Sequence, residues 1–295
     1  MRTLSNTFGV ALQGKGSRMA IYHLKMTAIK RGAGRSATAA AAYRAGESIT
    51  DERTGLVHDY TRKSGVLEIG MMGWSGDRQA LWNAAEKAEK HPRAIVGREI
   101  VIALPAELTD DHRRRLVLDF SAYLQRRHNT AVDWAIHMPP ARSPHNWHAH
   151  VMMTTREVMP DRRSLGAKTR DLDVIDTGAD HLRHWRRTWA DLVNDQLQRA
   201  GLTAVVDHRS HRAAGRDAKP QEHLGPILTA IEDRGGITAA GERNRARKKR
   251  DRQQRAIDRD LRLVRRAIRE ISYQASGFIR AVVDLVEPEP PQRSR

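Results

Sequence analysis

Four runs of strand-forming residues alternate with longer helical stretches, and this order limits the folds that the chain can adopt. Helical patterns follow the first, second and fourth runs, whereas only a proline-containing loop separates the third run from the fourth. The order strand, helix, strand, helix, strand, strand, helix predicts an α+β fold with a largely antiparallel central sheet flanked by helices. The four runs are MAIYHLKMTAI (19–29), REIVIALP (98–105), AVDWAIHM (131–138) and HAHVMMTT (148–155).

A glycine-rich basic turn leads into the first predicted helix, in the segment RGAGRSATAAAAYRAGE at 31–47. Ser36 stands where an N-cap is needed, the alanines are strong helix formers, and Gly46 stands where a C-terminal cap is expected. The next segment, DERTGLVHDYTRKSGV at 51–66, predicts a hairpin or a basic loop.

Changes in composition divide the chain into four expected segments. Residues 1–18 are rich in glycine, serine and asparagine, and we expect a disordered N-terminal extension there. The α+β domain is expected at 19–226. A long basic helical tail is expected at 227–287, and the prolines beyond it predict a disordered C-terminus at 288–295.

Apolar residues of the tail recur at alternating spacings of four and three, which is a heptad pattern. Two interpretations are open: a long helix that packs on the domain, or a coiled coil through which two copies form a homodimer. The apolar residues are Ile257, Leu261, Val264, Ile268, Ile271, Ala275, Phe278, Val282 and Leu285.

The chain is strongly basic, with 52 lysines and arginines against 35 acids and a formal net charge of +17. This excess favours a polyanionic partner, because basic side chains that neutralise phosphates release counterions. An anionic membrane is the competing partner. However, no apolar run approaches the roughly 18 residues that span a bilayer, and no signal peptide is recognisable. Nucleic acid is therefore favoured over a membrane, and no membrane insertion is expected.

The absence of cysteine restricts the chemistry of the chain. It excludes disulfides, cysteine-ligated zinc, iron–sulfur clusters and thiol nucleophiles. Any metal must be held by histidines and carboxylates, and any covalent nucleophile must be a hydroxyl, an amine, an imidazole or an acid. A cysteine-free chain suits the reducing cytoplasm, which is the expected location.

Two histidines flank Ala149 in the fourth run. On a strand, His148 and His150 share one face, while Ala149 points to the core. His137 ends the third run and would lie beside them if the two runs pair as a hairpin. The three can be polar residues on a solvated strand, or ligands of one divalent ion. Mn²⁺ or Mg²⁺ is expected, with Zn²⁺ as an alternative, although imidazole suits the transition metals better than Mg²⁺.

An open three-histidine site on a basic protein predicts a Lewis acid for phosphate chemistry, and the attacking group is then water or a side chain. Among the five tyrosines, Tyr43 stands out because it follows four alanines on a short helix and is flanked by Arg35 and Arg44. Alanines let such a helix approach a sheet or a DNA strand closely. A structural role for Tyr43 and a water-driven nuclease both remain alternatives.

Together these residues resemble the MobA/MobL family of plasmid relaxases, which are HUH endonucleases (histidine, hydrophobic residue, histidine). The resemblance runs in order from about Met19 to Pro226. The stretches that carry it are MAIYHL, GRSATAAAAYRAGE, DERTGLVHDYTRK, REIVIALPAEL, AIH with HNWHAHVMMTTRE, and VDHRSHRAAG with EHLGP.

The resemblance implies a role for each matching residue. Tyr43 takes the place of the nucleophile, and His137, His148 and His150 take the places of the metal ligands. Glu107 occupies the position of a functional acid, with an ordinary acid of a first helical turn as the alternative and Glu99 as a weaker choice for the role.

The activity implied is that of a relaxase, a site- and strand-specific DNA endonuclease. Such an enzyme nicks single-stranded DNA at a plasmid transfer origin, forms a 5′-phosphotyrosyl link and later rejoins the strand. Accessory mobilisation proteins and a coupling protein of a secretion system are the further partners implied. Two alternatives stay open: a rolling-circle replication initiator with the same chemistry, and a non-catalytic DNA-binding regulator. The expected phosphate contacts are Arg31, Arg35, Arg44, Arg62, Lys63, Arg156 and Arg209.

Overall fold

The structure is a computed structural model, and it describes residues 21–141, 143–209, 213–215, 222 and 224–286. The segments expected at 1–18 and 288–295 lie outside these residues. The chain divides into two compact units, residues 1–208 and 209–295, whereas the sequence predicted a boundary at 226.

The described residues of the first unit form eight strands and four α-helices. The strands are β1 (Leu24–Lys30), β2 (Ser48–Asp51), β3 (Leu56–Asp59), β4 (Val66–Met72), β5 (Ile95–Ala103), β6 (Thr130–His137), β7 (His148–Val158) and β8 (Leu165–Lys168). The helices are α1 (Ala37–Ala45), α2 (Arg78–Ala88), α3 (Asp110–His128) and α4 (Ile175–Arg199).

Six of the strands form one antiparallel sheet in the order β1-β5-β7-β6-β4, with β8 paired to β7. Strands β2 and β3 form a separate hairpin. The antiparallel α+β fold predicted from the order of the runs is therefore confirmed. The segment at 51–66, predicted to be a hairpin or a basic loop, contains the turn and the second strand of this hairpin and then continues without regular structure to β4.

Helix α1 begins and ends at the two capping residues that the sequence indicated. The Ser36 side chain accepts a hydrogen bond from the Ala39 amide at 3.0 Å, which satisfies one free N–H of the first turn. Gly46 follows the helix with φ at 69°, a left-handed conformation that glycine adopts without strain. These caps fix the length of the helix that carries Tyr43.

The two faces of the sheet are covered by different helices. On one face, Ile100, Ala149 and Val151 pack against α3 and α4 in one buried cluster. On the other face, Ala131 and Met152 pack against α1 and α2. Because side chains alternate along a strand, His148 and His150 belong to the face of Met152, which is the α1 and α2 face.

Strand β4 was not among the predicted strands, although it pairs with β6 along the edge of the sheet. Its sequence VLEIGMM contains Gly70, and glycine is unfavourable within strands. Here the glycine is required by packing, because a Cβ atom at Gly70 would lie 2.4 Å from Cζ2 of Trp134. The indole of Trp134 occupies that space.

A buried ion pair fastens α2 to the sheet. The Arg78 guanidinium donates through Nε to Asp133 of β6 at 2.9 Å and through Nη1 to Glu47 at 2.6 Å. Trp82 Nε1 donates to the same Asp133 carboxylate at 2.8 Å. Since Glu47 directly follows the cap of α1, Arg78 links α1, α2 and β6.

The second unit contains α5 (Gly225–Asp233) and α6 (Ala239–Val286). Glu232 accepts hydrogen bonds from the Thr238 amide and hydroxyl, which orders the turn between the two helices. The apolar heptad residues whose side chains are described are exposed; among the large ones the exposed fraction runs from 49% for Leu261 to 66% for Ile271. No helix in the described part of the chain is long and apolar enough to cross a membrane.

We expect Arg78→Ala to lower the free energy of unfolding by about 3–5 kcal/mol, because it leaves the Asp133 carboxylate buried without its cation. Urea denaturation followed by circular dichroism measures this. Arg114→Ala is the matched control, because Arg114 pairs with Glu68 at the exposed surface and its loss should cost no more than about 1 kcal/mol. Equal losses in the two variants would contradict the assignment.

Candidate metal centre and nucleophile

The hairpin of β6 and β7 brings three histidines together at one end of the sheet. His137 lies directly opposite His148 in the register, and His150 lies opposite Ala135. The candidate ligand atoms of the three residues all lie within 4.8 Å of one another. Their ring centroids are 4.8–5.3 Å apart. This is the juxtaposition that the spacing of the two runs predicted.

Hydrogen bonds orient each of the three rings. His148 Nδ1 donates to the Asn146 carbonyl at 2.9 Å, and His150 Nδ1 donates to the Glu99 carboxylate at 2.8 Å, so Nε2 of both rings keeps its lone pair. His137 Nε2 donates to the Arg44 carbonyl at 2.8 Å, which leaves Nδ1 as its free nitrogen. Partners of this kind fix the tautomer and orientation of metal-binding histidines.

The protonation states also suit a metal. Burial lowers the pKa of His137 to about 4, and burial likewise lowers the pKa of His150. Neutral imidazole is the form that binds a metal ion, so these ligands need not lose a proton at neutral pH. Three nitrogen donors on one sheet face match the preference of a transition metal ion such as Mn²⁺ or Zn²⁺.

A buried carboxylate, Glu99 of β5, supports the cluster. It is 4% exposed, and it accepts hydrogen bonds from His150, from Arg44 Nε at 2.5 Å and from Arg35 Nη2 at 3.3 Å. Burial would raise the pKa of Glu99, but the hydrogen bonds from His150 and Arg44 outweigh it and hold that pKa well below the usual range. Glu99 is therefore an ionised carboxylate at neutral pH.

The structure does not bring Glu107 to the histidines. Glu107 is exposed in the turn that leads from β5 into α3, and among the described residues it makes no hydrogen bond or ion pair. The neighbouring Leu108 is buried in the cluster with α3, on the opposite face of the sheet from His150. The acid in contact with the cluster is Glu99, the weaker of the two choices from the sequence. Its signal was a charged residue in the middle of a strand of apolar residues.

Tyr43 lies on the exposed side of α1 with 44% of its surface accessible. Its ring meets the edge of Tyr60 at a centroid distance of 5.1 Å, and Lys63 Nζ lies 3.9 Å from the ring centroid. Lys63 also donates to the Tyr43 carbonyl at 2.5 Å. Burial and the nearby charge of Arg44 lower the pKa of Lys63 to about 8. Tyr60 and Lys63 thus hold the Tyr43 ring in place while one side of it remains open.

Arg44 connects Tyr43 to the histidines. Its carbonyl accepts from His137, and its guanidinium binds Glu99, which in turn binds His150. The residue that follows Tyr43 therefore bonds to His137 directly and to His150 through Glu99.

Two of the arginines expected to contact phosphate are already engaged within the fold. Arg31 binds Glu86 at 2.6 Å and donates to the carbonyls of Glu86, Glu89 and His91 around the end of α2. Arg156 donates to Glu89 and to the Gly166 carbonyl, both at 2.9 Å. Guanidinium groups with this many partners inside the protein mainly stabilise the fold.

The other expected phosphate contacts lie in three settings. Arg35, Arg44 and Lys63 lie beside Glu99 or Tyr43. Arg62 is exposed in the segment after β3 and, within the described part of the chain, forms no ion pair. Arg209 is exposed at the start of the second unit.

A second cluster, formed by His128, His181 and Asp171, was not anticipated from the sequence. Its candidate ligand atoms also lie within 4.8 Å of one another. However, Trp185 Nε1 donates to His128 Nε2 at 3.1 Å, which engages the lone pair of the neutral ring. His181 Nε2 bonds Asp171 at 2.8 Å. Since Trp185 engages the lone pair through which His128 would bind a metal, the cluster serves to join α3 to α4.

We expect Glu99→Gln to weaken the binding of Mn²⁺ by about 10- to 100-fold, because it removes the charge that orients His150. Isothermal titration calorimetry at pH 7 measures the affinity. Glu107→Gln is the matched control and should bind Mn²⁺ as the wild type does. The opposite ranking of the two variants would restore Glu107 as the functional acid.

Comparison with known proteins is consistent with this geometry. Residues 35–234 match the MobA/MobL family. The chain is 38% identical to mobilization protein MobL of Acidithiobacillus ferridurans over 296 residues, which covers 90% of this chain and 76% of that protein. It is 32% identical to a probable mobilization protein MobA of Bifidobacterium longum, covering 77% of this chain and 47% of that protein.

One solved structure is similar over the whole of its length. It is described as the molecular basis of vancomycin resistance transfer in Staphylococcus aureus. The TM-score is 0.56 at 25% sequence identity, and the match covers 65% of this chain and 100% of that one. With the match over residues 35–234, which includes Tyr43, Glu99 and all three histidines, the chain belongs to the MobA/MobL family.

Proposed function

We propose that this protein is a relaxase that nicks one DNA strand at a plasmid transfer origin and forms a covalent link through Tyr43. The observation that carries the proposal is the double contact of Arg44, which joins the helix of an exposed tyrosine to His137 and, through Glu99, to His150. The names of its relatives, mobilization and conjugal transfer proteins, support conjugative mobilisation as the setting.

Different residues of the chain have different roles in the proposed transesterification. The Tyr43 hydroxyl attacks the scissile phosphorus and loses its proton, the bond from phosphorus to the 3′-oxygen breaks, and the 3′-oxygen takes up a proton. Tyr60 and Lys63 contact the ring of Tyr43 and restrict its orientation. A divalent ion bound by His137, His148 and His150 would supply positive charge that polarises the phosphate and stabilises the transition state.

A tyrosine nucleophile suits strand transfer better than water does. The 5′-phosphotyrosyl bond keeps the phosphoryl group activated, so a 3′-hydroxyl can attack it in reverse and rejoin the strand. A hydrolytic nuclease releases that group to water and cannot reseal the DNA. The same chemistry would serve a rolling-circle replication initiator, which differs in its setting.

The positive charge around Tyr43 is consistent with single-stranded DNA as the substrate. Arg35, Arg44 and Lys63 all lie within contact of Tyr43 or of Glu99, and Arg62 is exposed nearby in the sequence. The exposed ring of Tyr43 weighs against a non-catalytic DNA-binding regulator. Action in the cytoplasm, with accessory mobilisation proteins and a coupling protein, completes the proposal.

The proposal predicts a covalent adduct between the protein and a labelled single strand from the transfer origin of its own plasmid, in the presence of Mn²⁺. Denaturing gel electrophoresis detects the adduct. Tyr43→Phe should form none, because it lacks the attacking oxygen, and His148→Ala should form far less because it lacks a metal ligand. Tyr60→Phe is a matched control at the neighbouring ring and should retain the adduct.

Each other outcome has a definite meaning. Cleavage that persists in Tyr43→Phe and fails in His148→Ala would indicate a water-driven metal nuclease. An adduct that survives in Tyr43→Phe would place the nucleophile elsewhere.

We further propose that α6 pairs two copies as a parallel coiled coil. In the heptad, Ile257, Val264 and Ile271 take the d positions. Leu261 and Ile268 take the a positions. Asp260 then takes a g position, and Arg265 takes the e position of the next heptad. In a parallel dimer, Asp260 of one chain therefore faces Arg265 of the other, and the two charges are opposite. The exposure of this apolar seam within one chain supports the proposal.

We expect Asp260→Arg to weaken the dimer and addition of Arg265→Asp to restore it, because the first change places two arginines together and the second recreates the attraction. Sedimentation equilibrium measures the association. Arg266→Asp, at an outward f position of the same turn, should leave association unchanged. A chain that is monomeric at every concentration would refute the coiled coil.

A further inference from the structure

A cleft of about 550 Å³ opens beside Tyr43, between α1 and the β2–β3 hairpin. None of the reaction steps above uses it. Tyr43 and Arg44 line one end of it. Its other walls include Arg35, Ala39, Ala40, Arg53, Leu56 and His58. The cleft therefore continues from the nucleophile into a space of a size typical for small ligands.

The hairpin presents one face to this cleft. In the register, Leu56 lies opposite Asp51 and His58 lies opposite Ile49, so these four side chains share a face. Asp51 and Ile49 are each 1% exposed, whereas Leu56 is 59% exposed. Val57 points to the other face of the hairpin and is 61% exposed. Leu56 and His58 thus form an open apolar and aromatic wall opposite α1.

The wall of the cleft that α1 forms includes small apolar side chains. Ala39 and Ala40 lie on the side of the helix that faces the cleft, where their methyl groups leave room for a flat ring. A planar base can lie between such a wall and an imidazole, because every base has an apolar face that stacks on aromatic side chains.

The charge of the cleft favours a phosphate. Arg35 lies 3.3 Å from Glu99 and Arg53 lies 3.6 Å from Glu86, but their side chains are 34% and 42% exposed, so both still reach solvent. The carboxylate in the lining, Asp51, is buried and accepts hydrogen bonds from the Thr38 hydroxyl at 2.7 Å and the Thr54 amide at 3.0 Å. The accessible charge of the cleft is therefore positive.

We propose that this cleft holds one unpaired nucleotide adjacent to the scissile phosphate, with its base between Leu56, His58 and the alanine wall and its phosphate near Arg35 and Arg53. This inference rests on the proposed function, because Tyr43 at the end of the cleft defines where the scissile phosphate lies. The hairpin then positions the nucleotide beside the nick.

The test uses strands in which one base at a time is removed. The adduct assay with the wild type first locates the nick. Full-length protein carrying Tyr43→Phe, which binds without reacting, is then titrated by fluorescence anisotropy with a set of strands, each with a single abasic position around the nick. We expect affinity to fall by about 5- to 100-fold at one position next to the nick, as for the loss of one stacked base.

Adding Leu56→Ala and His58→Ala should remove most of that loss at the one position and leave the losses at other positions unchanged. Val57→Ala, a truncation of similar size on the opposite face of the hairpin, should keep the full pattern. Leu56→Ala alone is a second test of the same loss of affinity, in a variant whose only further change is at an exposed side chain. Thermal melting verifies that each variant is folded.

The outcomes separate this inference from the proposed function. If the wild type forms the adduct but the Leu56 and His58 variants keep the full abasic pattern, the nucleotide subsite is refuted and the relaxase proposal stands. A wild-type pattern with no sensitive position next to the nick refutes the subsite equally. If the wild type forms no adduct, the proposed function itself fails.

Discussion

The Glu99 carboxylate accepts hydrogen bonds from side chains of three different segments: His150 on β7, Arg44 on α1 and Arg35 in the turn before α1. A charge this deeply buried is stable only with such partners, and removal of any one of them would leave the others unbalanced. The candidate metal site and the helix of the candidate nucleophile therefore depend on the same buried group. Arg44 also bonds to a second histidine of the cluster, because its carbonyl accepts a hydrogen bond from His137.

The alanine content of α1 makes this arrangement sterically feasible. Ala37, Ala41 and Ala42 are at most 1% exposed and pack beside the sheet, so the helix axis lies close to the strands that carry the histidines. Tyr43 extends from the other side of the same helix and is open to solvent. A short helix with small residues on its buried face can thus pack against the sheet while Tyr43 on its other face stays open to solvent.

The basic residues fall into two groups that their chemistry alone does not distinguish. Arg31, Arg78, Arg98 and Arg156 are each held by carboxylates or carbonyls inside the fold. Arg35, Arg53 and Lys63 lie around Tyr43 or its cleft and keep part of their surface accessible. The net charge of +17 is consistent with a polyanionic partner, but much of the arginine content stabilises the protein itself.

Local patterns in the sequence determined the order of the main strands and helices, the caps of α1 and the shared face of His148 and His150, because each depends on neighbours along the chain. Tertiary structure decided the rest. Glu99 lies in the middle of β5 and Glu107 in the turn after it. Only the pairing of β5 with β7, and the packing of α3 on the far face, places the first beside His150 and the second in solvent. Likewise, β4 depends on the fit of Trp134 over Gly70, and the engagement of Arg31 depends on the end of α2. Contacts between residues distant in sequence are set by tertiary packing, and local sequence patterns do not specify that packing.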